Sequence, residues 1–279
     1  MTKQGFEIAD VAGTTTLNNG VEMPYLGLGV MNITNVPDAV VWAAEAGYRL
    51  FDTAMIYKNE AEVGKGIRAT GLSRAEIFIT SKCWNSDQGY DSALAAFDAS
   101  LDRLGLDYLD LYLVHWPVAG TYKETWRALE ALYRAERVRA IGVSNFMRHH
   151  LEDLLTGADV VPMVNQMEFH PLLVQQDLVD FCADAGVQYQ AWSPLMSGRI
   201  AQVGSLHDLA ARYDRTFAQV VLRWSLQKGV ATIPKSSTRS RIEENACLFD
   251  FELSPDDVAR IDALDAGKRV GPDPDDFDL

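Results

Sequence analysis

Three short apolar runs each end in one ionisable residue: Leu50-Phe51-Asp52, Ile77-Phe78-Ile79-Thr80-Ser81-Lys82 and Leu109-Asp110-Leu111-Tyr112-Leu113-Val114-His115. A tyrosine, Tyr57, follows the first run closely. A carboxylate and an ammonium on neighbouring strands form a buried ion pair, which keeps Lys82 charged where burial would otherwise favour its neutral form. That cation, facing Tyr57, is expected to lower the phenol pKa from its ordinary value near ~10 and make the tyrosine a usable general acid. His115 would hold a carbonyl oxygen beside the hydroxyl and polarise it. The set lacks a nucleophile with an adjacent base and a metal-binding cluster. It suits protonation of an oxygen while a hydride arrives from a separate donor, a reduced nicotinamide.

Such residues converge only if the runs are strands whose C-termini share one face, as in a parallel barrel. Further strands are expected at 26–30, 138–144, 163–167, 187–192 and 230–234, making eight with the three above. Nearly continuous apolar strands separated by helices are those of a parallel sheet buried on both faces. Helical patterns fall at 38–46, 91–104, 123–136, 177–185 and 217–228, with Gly47, Gly71, Gly105, Gly157, Gly186 and Gly229 as closing signals. The expected architecture is α/β, a (β/α)8 TIM barrel forming one domain over residues 1–279. An N-terminal hairpin at about 14–23, turning at Asn18-Asn19-Gly20, would cap the bottom. The acidic segment from about 267 to 279 has few apolar anchors and is expected to be a mobile tail.

The formal charge of −14 argues against nucleic acid or an acidic membrane surface as partners. A phosphate ligand would need a local basic pocket. Cys83, Cys182 and Cys247 suggest neither a disulfide framework nor a metal site. No apolar stretch reaches membrane-span length, and residues 1–10 lack the basic and apolar regions of a secretory signal. A cytoplasmic protein is expected.

The segments 47–54 with Tyr57 and Asn59-Glu60, Thr80-Ser81-Lys82-Cys83-Trp84, and Leu111-Tyr112-Leu113-Val114-His115-Trp116-Pro117 resemble the aldo-keto reductases. So do Ile141-Gly142-Val143-Ser144-Asn145-Phe146, Asn165-Gln166-Met167-Glu168-Phe169-His170-Pro171, Ile233-Pro234-Lys235-Ser236 and the stretch from Arg241 to Asn245. The agreement runs in order through nearly the whole chain. The short connections after His115 and Trp192 most resemble the compact microbial branch that includes 2,5-diketo-gluconate reductases. The resemblance implies a catalytic set of Asp52, Tyr57, Lys82 and His115, with Tyr57 as proton donor. It implies that Ser144, Asn145 and Gln166 hold a nicotinamide carboxamide, that Trp192 stacks on the ring, and that Ser193 and Leu195 also contact the cofactor. Lys235, Ser236 and Arg241 match the family's clasp on the adenosine 2′-phosphate, with Glu244 and Asn245 near the adenine. NADPH is therefore the expected cofactor, with NADH a weaker alternative because Thr238 stands where some relatives carry a second arginine. A small-molecule carbonyl substrate and a monomer are also implied.

Met31, Ile56, Trp84 and Trp116 are the expected substrate-lining residues, with core packing as the alternative for each. Lys58, beside the acid, either biases the site toward anions or projects into solvent. His149-His150 are expected on an exposed helix face, with no carboxylate at ligand spacing and hence no metal. The run Gly64-Lys65-Gly66-Ile67-Arg68-Ala69 formally fits a dinucleotide fingerprint, but it lies inside a helical pattern and is followed by a strand, so that reading fails. The expected activity is NADPH-dependent reduction of aldehydes or ketones to alcohols, with diketo-sugar acids, methylglyoxal and aromatic aldehydes as candidate substrates. The alternative is a cofactor-binding regulatory subunit on the same barrel, against which the intact catalytic set argues.

Overall fold

The computed structural model describes residues 8–277; residues 1–7 and the last two of the acidic tail lie outside it. A hairpin comes first, β1 (Thr14–Thr16) antiparallel to β2 (Glu22–Pro24), with Gly20 at φ 85° in the turn. Thr15 Oγ1 donates to Gln188 Oε1 at 2.9 Å, Asn18 Nδ2 to the Pro162 carbonyl at 3.1 Å and Asn19 Nδ2 to the Arg139 carbonyl at 3.0 Å. Those partners stand at or near strand starts, so the hairpin caps the end opposite the strand C-termini, as expected.

Eight parallel strands follow: β3 (Gly27–Gly29), β4 (Leu50–Asp52), β5 (Phe78–Cys83), β6 (Leu109–Val114), β7 (Val138–Ser144), β8 (Val164–Glu168), β9 (Gln188–Trp192) and β10 (Ala231–Thr232). They pair in that order. Parallel bridges Leu26–Thr232 and Gly29–Lys235 join β3 to β10 and complete the ring. Every residue of β5 and β6 is buried, because one face lines the barrel interior and the other meets helices.

The helices are α1 (Val36–Glu45), α2 (Glu60–Ala69), α3 (Tyr90–Leu104), α4 (Tyr122–Arg134), α5 (Arg148–Leu155), α6 (Gln176–Asp184), α7 (Ser205–Tyr213), α8 (Phe217–Gln227), α9 (Arg239–Ala246) and α10 (Pro255–Asp262). The five expected from apolar periodicity start and end within two residues of their expected limits. In α4, Trp126, Leu129 and Leu132 face the core while Lys123, Glu124 and Arg127 face solvent, the 3.6-residue stripe that docks a helix on a sheet. Gly157 departs from expectation: α5 ends in right-handed Thr156, and Gly157 is not among the positive-φ residues.

Gly64 and Gly66 lie inside α2, where a Cβ would come 2.0 Å from the Leu104 carbonyl oxygen and 2.8 Å from Val40 Cβ. They serve helix packing. The acidic segment corrects another expectation, for its described part is anchored. The Val270 amide donates to Glu168 Oε1 at 2.6 Å, and Phe277 stacks on Trp116 with ring centres 4.1 Å apart. Among the described residues, no helix is long and apolar enough to cross a membrane.

Candidate active site

Asp52 ends β4, Lys82 is the penultimate residue of β5, and His115 directly follows β6. Tyr57 closes a single 3-10 turn, Met55–Tyr57, that follows β4. Lys82 Nζ donates to Asp52 Oδ1 at 2.6 Å and to the Thr53 carbonyl at 3.0 Å. It also lies 5.2 Å from the centre of the Tyr57 ring. The Tyr57 ring meets the imidazole of His115 edge-on at 5.9 Å. The four side chains therefore form one cluster at the C-terminal end of the barrel.

Burial alone would push the Lys82 ammonium down, but Asp52 and then Tyr57 outweigh it, and Lys82 is held above the ordinary lysine value. Tyr57 corrects the expectation of a lowered phenol. Burial pushes it up, Lys82 pulls it down less strongly, Asp52 adds a further push, and the net direction is upward. The phenol thus holds its proton at neutral pH, beside the Lys82 cation. Burial, then Lys82, depresses His115 well below the ordinary histidine value, so its imidazole is neutral. Its Nδ1 is buried without a partner among the described residues.

The carboxamide-binding candidates occupy the neighbouring strand ends. Ser144 closes β7 and donates to the Gln166 carbonyl at 2.9 Å. Asn145, at φ 65°, donates from Nδ2 to the His115 carbonyl at 2.9 Å and accepts at Oδ1 from Trp192 Nε1 at 2.9 Å. Gln166 Nε2 donates to Asp52 Oδ2 at 2.7 Å and to Gln190 Oε1 at 2.8 Å. Both amide hydrogens are used, so its Oε1 is the atom left for an incoming donor. Ser193, at φ 53°, and half-buried Leu195 carry the chain on from Trp192.

Lys235 and Ser236 follow β10, while Arg241, Glu244 and Asn245 lie on α9. Lys235 and Arg241 are exposed and have no carboxylate partner among the described residues, whereas Arg239 is engaged by Glu45 at 2.9 Å and Glu243 at 2.8 Å. Ser236 Oγ accepts from the Thr238 amide at 3.1 Å. Glu244 accepts from Thr216 Oγ1 at 2.7 Å, and Asn245 is buried. Two cations without a carboxylate partner among the described residues, one of them next in sequence to Ser236, fit a phosphate, and the Gln166 oxygen fits an amide N–H donor. The donor set therefore suits a phosphorylated nicotinamide dinucleotide.

Just past the ends of β5 and β6, Trp84 meets His115 edge-on at 5.0 Å, and Trp116 is buried beneath Phe277. Ile56 is half-buried beside Tyr57. Met31 is 45% exposed, so core packing does not account for it. Lys58 is exposed at φ 55°, a conformation that favours glycine. A cavity of about 530 Å³ lies between residues 116–119, His149, His150, Pro274, Asp275 and Phe277. There Asp275 supplies the carboxylate that the spacing around the two histidines lacked, 3.1 Å from His149 Nε2 and 3.7 Å from His150 Nε2. The Met147 amide donates to His150 Nδ1 at 3.2 Å, so the hydrogen of the neutral ring sits on Nε2 and faces Asp275.

Three contributors were not singled out by residue type. Glu168 accepts from the amides of Val270 and Gly271, holding Gly271 where a Cβ would fall 2.4 Å from Trp192 Cη2. Phe277 covers Trp116. Gln190 stands two residues before Trp192 on the same face of β9, and that parity was the available signal.

The sequence profile of the aldo/keto reductase family matches residues 11–266. A glyoxal reductase of Bacillus subtilis is 56% identical over 267 residues, covering 95% of this chain and 97% of the relative. An uncharacterized oxidoreductase of the same organism is 57% identical over 271 residues, covering 95% of this chain and 97% of the relative. Among solved structures, an aldo-keto reductase of Bombyx mori in complex with NADP superposes with a TM-score of 0.88 at 34% identity, covering 96% of this chain and 97% of that one. Profile, relatives and fold agree: this chain belongs to the aldo/keto reductase family and is an oxidoreductase.

Proposed function

We propose that this protein reduces aldehydes and ketones to alcohols with NADPH, and that Tyr57 delivers the proton. The observation that carries the reading is the protonated phenol of Tyr57 set against the Lys82–Asp52 ion pair beside a neutral imidazole. Bound NADPH supplies the hydride that adds to the carbonyl carbon. The hydroxyl of Tyr57 donates to the carbonyl oxygen as negative charge builds there, and Lys82 stabilises the resulting phenolate. His115, uncharged, orients the same oxygen. Asp52 keeps Lys82 cationic and ties it to Gln166.

Gln166, Asn145 and Ser144 are assigned to the carboxamide, with Trp192 on the ring. Lys235, Ser236 and Arg241 are assigned to the 2′-phosphate, which makes NADPH the better cofactor and NADH the weaker one. The aromatic rim of Trp84, Trp116 and Phe277 suits compact carbonyls. The likeness to a glyoxal reductase favours dicarbonyls such as methylglyoxal, ahead of diketo-sugar acids and aromatic aldehydes. Loss of nicotinamide absorbance from NADPH mixed with each carbonyl and purified protein tests the reading. Turnover of methylglyoxal supports it; no turnover across the panel, with NADPH bound, contradicts it and points to a cofactor-binding subunit.

A further inference from the structure

Gln190 is fully buried inside the barrel, paired in register with Gln166 on the adjacent strand. Its Oε1 accepts from Gln166 Nε2 at 2.8 Å, while its own Nε2 is buried with no partner among the described residues. The assignment is forced by chemistry. Asp52 Oδ2 accepts only, so the Gln166 atom beside it is the nitrogen, and the Gln190 atom that meets this nitrogen is the oxygen. Gln190 Nε2 is then the atom left over. An unpaired buried donor costs stability, and an apolar residue of similar length would avoid that cost. Fold stability therefore does not explain a glutamine at this position.

We infer that Gln190 is a positioning residue for cofactor binding: its oxygen, with Asp52 Oδ2, occupies both hydrogens of the Gln166 amide and so turns the Gln166 oxygen toward the nicotinamide carboxamide. Asp52 (β4) and Gln166 (β8) belong to the second and sixth strands of the ring, so their bond crosses the barrel interior. Asp52 alone fixes which end of the Gln166 amide faces it, but a single acceptor would leave one amide hydrogen unpaired and the amide plane free to rotate about that one bond, so that its oxygen has no fixed direction. Gln190 removes that freedom from beneath, one inward-facing position below Trp192 on β9. Gln190 does not touch the cofactor in this scheme. It acts through Gln166, and the inference rests on the carboxamide role proposed above.

The test uses four proteins: wild type, Gln190→Met, Gln190→Glu and Gln166→Met. Cofactor affinity is titrated by fluorescence and thermal midpoint is measured for each. Gln190→Met removes the acceptor and the orphan donor together, so its midpoint should equal or exceed that of wild type. Its affinity for NADPH and NADH should fall by the same factor, roughly 3- to 10-fold, the worth of one neutral hydrogen bond. Gln190→Glu keeps an oxygen acceptor in either protonation state and should restore affinity toward wild type. Affinity unchanged in Gln190→Met but lowered in Gln166→Met would overturn the role of Gln190 alone. Unchanged affinity in Gln166→Met would overturn the carboxamide assignment and this role with it. A loss that appears only together with a lowered midpoint, without rescue by Gln190→Glu, would make Gln190 purely structural and also overturn the inference.

Discussion

Lys82 Nζ sits 2.6 Å from Asp52 Oδ1 with the lysine side chain fully buried and the aspartate side chain 3% exposed. The neighbouring carboxylate offsets the burial that would neutralise Lys82, and the outcome is a cation 5.2 Å from the centre of the Tyr57 ring.

Removing one member leaves the other charge buried and unpaired. Lys82→Met should destabilise the protein by about 3–5 kcal/mol and abolish turnover. The double variant Asp52→Leu, Lys82→Met should recover much of that stability but none of the activity. Urea unfolding and turnover assays check both; a double variant no more stable than Lys82→Met would contradict the account.

His115 makes a pH prediction. Its native pKa lies well below the ordinary 6.5, so an unfolded chain takes up a proton near that pH while the folded chain does not. The stability contributed by the neutral imidazole is complete above pH 6.5 and drains as pH falls toward the native pKa, by at most about 1.4 kcal/mol per pH unit. His115→Gln lacks this contribution. Urea midpoints measured from neutral to mildly acidic pH should therefore fall more steeply for wild type than for His115→Gln, and parallel curves would be the contrary result.

Arg241 is exposed and without a carboxylate partner among the described residues. Arg241→Glu should weaken NADPH by roughly 10- to 100-fold, the worth of one charge-assisted hydrogen bond, and leave NADH nearly unaffected. Equal losses for both cofactors would remove the 2′-phosphate assignment.

Gly271 touches the indole of Trp192, where a Cβ would sit 2.4 Å from Cη2. Gly271→Ala should displace that ring, alter its fluorescence and weaken both cofactors by a similar factor. Gly204→Ala, with nothing within 4 Å of the added carbon, serves as the control. Unaltered cofactor binding in Gly271→Ala would show that the C-terminal segment does not position the stack.

The barrel was legible because each strand carries its own apolar signature and delivers one chemically distinctive residue at its end, so Asp52, Lys82 and His115 fell on one face by strand parity. Contacts between distant segments were not legible. The acidic tail reads as solvated because its anchors, Glu168 and Trp116, stand more than a hundred residues earlier. Asp275 reaches His149 and His150 for the same reason. The phenol pKa of Tyr57 went the other way from expectation because neighbouring charges can be read from residue types, whereas the extent of burial is set by the folded surroundings. Gln190 passed unnoticed as one polar residue within a strand until register placed it beside Gln166.

The proton-donating role of Tyr57 is tested most directly by Tyr57→Phe, compared with wild type at equal NADPH occupancy and saturating methylglyoxal. The substitution removes only the hydroxyl, so the fold and the NADPH dissociation constant should be preserved while the rate of carbonyl reduction falls by about 10²–10⁴-fold. A folded, NADPH-binding Tyr57→Phe protein that reduces methylglyoxal as fast as wild type would contradict it.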